Sequence, residues 1–163
     1  MAKPVFPTYE DVNFEVEKEV WNVYELDDRS TIRMRCILVK LLKSLTPIKA
    51  PPPPGVPPEA KGFEFQTVFQ NIVTVIKSPS GIMGQPSPLL PPTEIEKMSK
   101  IEVGYTPYIE DWNVYRLPDG IKLKVKLVVS AIYRIPKQYD PFGYPVYFVN
   151  STNAIVPVPK VKP

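Results

Sequence analysis

Trp21-Asn22-Val23-Tyr24 recurs as Trp112-Asn113-Val114-Tyr115, and these blocks hold the only two tryptophans of the chain. The offset of 91 residues keeps matching beyond them. Leu26 falls on Leu117, Asp28 on Asp119, and Ile32-Arg33-Met34-Arg35-Cys36 on Leu123-Lys124-Val125-Lys126-Leu127. Self-similarity at a fixed spacing sets the architecture before any single motif is weighed. The pattern predicts one module written twice.

The segment after each tryptophan block is the clearest strand of the chain. Ile121, Leu123, Val125 and Leu127 alternate with Lys122, Lys124 and Lys126, and Ile32, Met34, Cys36 and Leu38 alternate with Arg33 and Arg35. A period of two is that of a strand with one buried face. Pro118-Asp119-Gly120 before the second ladder is a strong turn signal, and Asp27-Asp28-Arg29 is its poorer counterpart. Upstream, Val12, Phe14 and Val16 alternate against Asn13, Glu15 and Glu17, which predicts a first strand. Its counterpart, from Val103 and Tyr105, meets Pro107, a residue confined to edges and bends. Thr93 with Glu96 has the spacing of a capping box, so 93–100 is predicted as a short helix.

After the ladders the offset drops to 82, where Phe65-Gln66-Thr67 through Val75 aligns with Tyr147-Phe148-Val149 through Pro157. The first copy thus carries nine extra residues around Pro51-Pro52-Pro53-Pro54-Gly55-Val56-Pro57-Pro58. The second copy has Tyr139-Asp140-Pro141-Phe142-Gly143-Tyr144-Pro145 there, a tight hairpin connection. The fold expected is all-β: a tandem duplication of a small five-stranded barrel or sandwich module, packed with pseudo-twofold symmetry. The first module covers 1–77 with a proline-rich insertion near 47–60, a Pro/Gly/Ser-rich connector covers 78–92, and the second module covers 93–163.

Composition narrows the chemistry. The chain has 163 residues, a net charge of +3, 22 prolines, one cysteine and no histidine. Without His it lacks the commonest general base and the commonest transition-metal ligand. One cysteine permits neither an internal disulfide nor a thiolate cluster. Neither a glycine-rich phosphate loop nor a GxSxG motif occurs. Catalytic residues, a cofactor and a metal site are therefore not expected, and the protein is read as a non-enzyme. Met1-Ala2-Lys3-Pro4 has no apolar signal core, and no stretch reaches the roughly 18 apolar residues of a span. Cytoplasm is the expected compartment, with no membrane association. The abundant proline also suits the rigid loops of a thermophile.

Four features are candidates for function. The basic ladders, Arg33 and Arg35 with Lys122, Lys124 and Lys126, are candidate phosphate contacts, with Tyr24, Tyr115 and Tyr133 as neighbouring stacking platforms. Against this, lysine and arginine also serve simply as a strand's solvent face. Eight acidic residues between Glu10 and Asp28 face a single lysine, a poor balance for a nucleic-acid protein. Pro51, Pro52, Pro53, Pro54, Pro57 and Pro58 are candidate partner-binding residues, since such runs form polyproline II, which aromatic grooves recognise. The carboxylates Asp27-Asp28, Glu110-Asp111 and Asp119 are assigned structural roles, and Glu19 and Glu110, which align, are expected to link to the facing basic strand. Trp21 and Trp112, with Tyr24 and Tyr115, are expected in the core or at the seam between halves.

The function expected is a binding or scaffold protein, an accessory subunit of a larger assembly with one or more protein partners and oligomer formation open. The alternative is a sequence-tolerant nucleic-acid binder using the ladders, and an enzyme of unknown type ranks third.

Overall fold

The computed structural model describes residues 9–44 and 65–159. Strands make up 63% of them and helix 7%, in two antiparallel sheets that do not close into a barrel. The first sheet contains β1 (Tyr9–Asp11), β3 (Asn22–Leu26), β4 (Thr31–Ser44), β5 (Phe65–Lys77) and β7 (Tyr105–Ile109). The second contains β2 (Glu15–Lys18), β6 (Ile101–Val103), β8 (Asn113–Arg116), β9 (Lys122–Tyr139) and β10 (Pro145–Val158).

The strand order is β5-β4-β3-β7 in the first sheet, with β1 beside the far end of β4. In the second it is β10-β9-β8-β2, with β6 beside the far end of β9. Each sheet thus takes its last strand from the opposite half of the chain. β2 leaves the N-terminal half to pair with β8, and β7 leaves the C-terminal half to pair with β3. The single first strand expected from Val12, Phe14 and Val16 is therefore split. β1 stays on β4, residues 12–14 cross between the sheets, and β2 joins the other sheet. The crossing is anchored by the Val12 amide, which donates to the Leu41 carbonyl at 2.8 Å.

One core lies between the sheets, and the alternation of the ladders builds it. Ile32, Met34, Cys36 and Leu38 on β4 and Leu123, Val125 and Leu127 on β9 are buried, as expected. Tyr24 and Leu26 from β3, Tyr115 from β8 and Leu117 beyond it join the same cluster. Phe14 on the crossing segment packs edge-on against Tyr115 at 5.6 Å, and Tyr105 packs edge-on against Tyr24 at 5.9 Å. The exchange thus brings an aromatic from each half onto the buried tyrosine of the other.

Turns and connector follow their local chemistry. Gly120 takes φ of 86°, and Arg29, at the poorer counterpart turn, is forced to 70°. The short helix α1 runs over Pro92–Lys97, one residue earlier than the Thr93 start predicted. Its cap is Pro91, with no side-chain bond, so the capping box does not form. Pro92 explains the shift, because proline's fixed φ and missing N–H suit the first helical position. The connector docks on the β9–β10 hairpin instead of running free. The Gly84 amide donates to the Gly143 carbonyl and the Ser87 amide to the Tyr139 carbonyl, both at 3.0 Å. A Cβ at Gly84 would lie 2.5 Å from the Tyr139 ring, so the ring would have to shift to admit any side chain there. Among the described residues no helix is long and apolar enough to cross a membrane, which says nothing of strands.

Candidate functional site

The basic ladders lie on the outer faces of β4 and β9, where most of their cations already have partners. Arg35 pairs with Glu19 at 2.9 Å, Lys126 with Glu110 at 2.9 Å and Lys122 with Glu17 at 3.1 Å. Arg33 sits 4.3 Å over the Trp21 ring and Lys124 4.8 Å over Trp112. The tryptophans are therefore half-buried platforms under the cations, not core residues. Strand parity is the reason. Asn22, Tyr24 and Leu26 alternate inward on β3, which leaves Trp21 on the side of Val23. Tyr24 and Tyr115 fill the core and cannot stack on a base, each having 0% exposure. Tyr133 is half-buried against Phe148.

Glu19 and Glu110 do link to the basic strands, and each also reaches across to the other half. Tyr115 donates to Glu19 and Tyr24 donates to Glu110, both at 2.9 Å. Burial first, then the hydrogen bond to the glutamate, pushes both phenols well above the ordinary tyrosine range. Both phenols remain proton donors. Two buried asparagines complete the crossing. Asn22 accepts from the Asp111 amide at 3.1 Å, and Asn113 accepts from the Val20 amide at 2.9 Å. At the surface Lys18 pairs with Asp111, holding that carboxyl below the usual range. Glu15 pairs with Arg116.

A further polar cluster lacks a sequence signal. Asp28 accepts from Arg134 at 3.1 Å, from Tyr147 at 2.6 Å and, through its other oxygen, from the Ser30 amide at 2.9 Å. The Ser30 hydroxyl lies 2.8 Å from the Tyr147 oxygen, to which it can donate, and 2.6 Å from the Ser78 hydroxyl. The group ties the turn after β3 to β9 and β10. Its members fall on Asp119, Ile121, Lys43 and Phe65 in the sequence alignment, so it exists on one side only. Asp119 instead accepts from the Ile121 amide at 3.1 Å, a local turn bond. Asp28, Glu110, Asp111 and Asp119 each have a hydrogen-bond or ion-pair partner within the chain, and no group of three potential metal ligands occurs among the described residues.

Cys36 is a buried packing residue. Burial, reinforced by the charge of Glu19, pushes its thiol from 9.0 to about 11. Because the folded-state value is the higher one, the thiol's contribution to stability is full below pH 9.0 and is lost as pH rises to about 11. Iodoacetamide at about pH 8 should leave the folded chain unmodified and alkylate it stoichiometrically once denatured. Cys36→Val should lose less stability than the parent over that alkaline window. Rapid alkylation of the native chain would contradict the burial.

The least occupied features are two strand edges. Among the described residues, β5 bonds only to β4 and β10 only to β9. They have 13 and 14 residues, and neither carries a charge except Lys77 at the end of β5. Their apolar side chains are partly covered: Val68 is 46% exposed and Val156 41%. The candidate partner-binding residues Pro51, Pro52, Pro53, Pro54, Pro57 and Pro58 lie outside the described residues.

Comparison with known proteins found no matching family model, no matching curated protein and no matching solved structure.

Proposed function

We propose that this chain is a non-enzymatic binding or scaffold protein, an accessory subunit that works by protein–protein contact along its uncharged sheet edges. The supporting observation is a division of labour among side chains. The ladder cations and their facing carboxylates satisfy one another or rest on tryptophan, while among the described residues β5 and β10 each pair with a neighbouring strand along one side only. Such edges are templates for another strand, and recognition by strand addition uses main-chain bonds for affinity.

The architecture proposed behind it is an internal duplication with pseudo-twofold symmetry, whose copies trade β2 and β7. The recurrence of Trp-Asn-Val-Tyr supports this, as do the paired contacts Glu19–Tyr115 and Glu110–Tyr24.

Affinity isolation of the full chain tests the function. A stoichiometric protein partner is expected, and it should be lost when the exposed edge residues Gln70 and Thr152 are changed to lysine, because edge lysines block strand addition. Equal retention by parent and variant would contradict the edges as the binding surface. The same preparation tests nucleic acid. Binding tighter than about 10 μM at physiological salt is not expected. If the ladders did contact phosphate, binding would fall with salt at a log–log slope of about −0.7 to −0.9 per contact. Arg33→Gln with Lys124→Gln would then weaken it while leaving the Glu19 and Glu110 pairs intact. Submicromolar, salt-sensitive binding lost in that variant would favour the ladders as the functional site.

A further inference from the structure

We propose that β5 is the interface to a second copy of this chain, the two strands pairing antiparallel about Asn71 so that the first sheets of both copies run on as one. The proposal rests on the scaffold function above and names one partner for it.

Among the described residues, the short edge strands are blunted by the usual means. β1 and β6 have three residues each, β2 carries Glu15, Glu17 and Lys18, and β7 contains Pro107. β10 is the comparable long uncharged edge, with proline only towards its two ends, at Pro145 and Pro157. From Thr67 to Ile76, β5 has no charge, proline or glycine. It is long for a strand, since lengths of about 3–10 residues are usual. Soluble proteins rarely leave a long uncharged edge open.

The sequence of β5 suits its own inverse. Pairing about Asn71 sets Phe69 against Val73, Val68 against Thr74 and Thr67 against Val75, each combination occurring twice. Aromatic and β-branched pairs of this kind stabilise antiparallel strands, and no like charges oppose. The register also keeps faces consistent. Phe69, Asn71, Val73 and Val75 sit beside the buried Leu38, Cys36, Met34 and Ile32 of β4. A twofold about Asn71 pairs Phe69 with Val73, Asn71 with its own copy and Val75 with Thr67, which sits beside the buried Leu41 of β4, so the core-facing side continues across the junction. Val73, 38% exposed at the open edge, gains cover from Phe69 of the second copy. Such an interface is isologous and closes at two copies.

Cross-linking tests the register directly. Asn71→Cys is made in a Cys36→Ala chain, because Cys36 is the lateral neighbour of Asn71 on β4 and would capture the new thiol. Antiparallel partners have Cα atoms about 4.5–5.5 Å apart, within disulfide reach. Mild oxidation should convert the Asn71→Cys chain to a linked dimer with an unchanged β-sheet circular dichroism spectrum. Val68→Cys in the same background should stay unlinked, its copy lying six residues along, about 20 Å away. Sedimentation should show the unmodified chain as a dimer and Asn71→Lys as a monomer. An equimolar mixture of Asn71→Lys with Asn71→Glu should return to dimer. Equal linking at 71 and 68, or a monomeric parent chain, overturns the proposal. A monomer that still retains a protein partner would overturn the self-pairing and leave the scaffold function standing.

Discussion

Tyr115→Ala is expected to destabilise the chain by about 3–5 kcal/mol, the cost of deleting a large, fully buried aromatic. Tyr115 is closed to solvent, packs on Phe14 and donates to Glu19. Its oxygen also accepts from the Leu38 amide and from Asn113, both at 3.3 Å. Truncation therefore opens a cavity where both halves meet and strips partners from several buried groups. Trp21→Ala should cost much less, about 1–2 kcal/mol, because it removes a half-exposed platform and a cation–π contact. Urea denaturation of both variants measures the contrast. If the tryptophan variant proves the more costly, the core lies around the tryptophans and the burial described above is wrong.

Much of this was legible in the sequence where the cause is local. The alternation of β4 and β9 is a direct consequence of strand geometry: Ile32, Met34, Cys36, Leu38, Leu123, Val125 and Leu127 are buried, and Ile121, just before β9, is half-buried. The alignment of Glu19 with Glu110, each upstream of a basic ladder, was enough to expect their ion pairs. Parity also carries a signal. Trp21 and Tyr24 are three residues apart, so on one strand they cannot both face inward. The size of tryptophan argued for burial, and the alternation through Asn22 and Tyr24 overrode it.

What was not legible depends on distant partners. Nothing in Glu15-Val16-Glu17-Lys18 says which sheet edge it joins, because β2 gains its place from Arg116 and Lys122, about a hundred positions away. The Asp28 cluster was hidden for a different reason. It joins Ser30, Arg134 and Tyr147, positions at which the halves differ, so matching one half to the other draws attention away from it. Proline read as a loop former also obscured how firmly the connector docks through Gly84 and Ser87.

The most direct test of the central claim, that the two halves are interlaced into one body, is fragment complementation across the connector. The chain is divided after Leu89, which is 89% exposed and lies beyond the docked Ser87. The N-terminal piece then lacks β7 and the C-terminal piece lacks β2, and each loses half of the shared core. A half-core of this size rarely sustains a fold alone. Each fragment is expected to lack a cooperative thermal transition, and an equimolar mixture should recover one folded particle with a single transition. Two fragments that each unfold cooperatively on their own, unchanged by mixing, would show independent modules and contradict the exchange of β2 and β7.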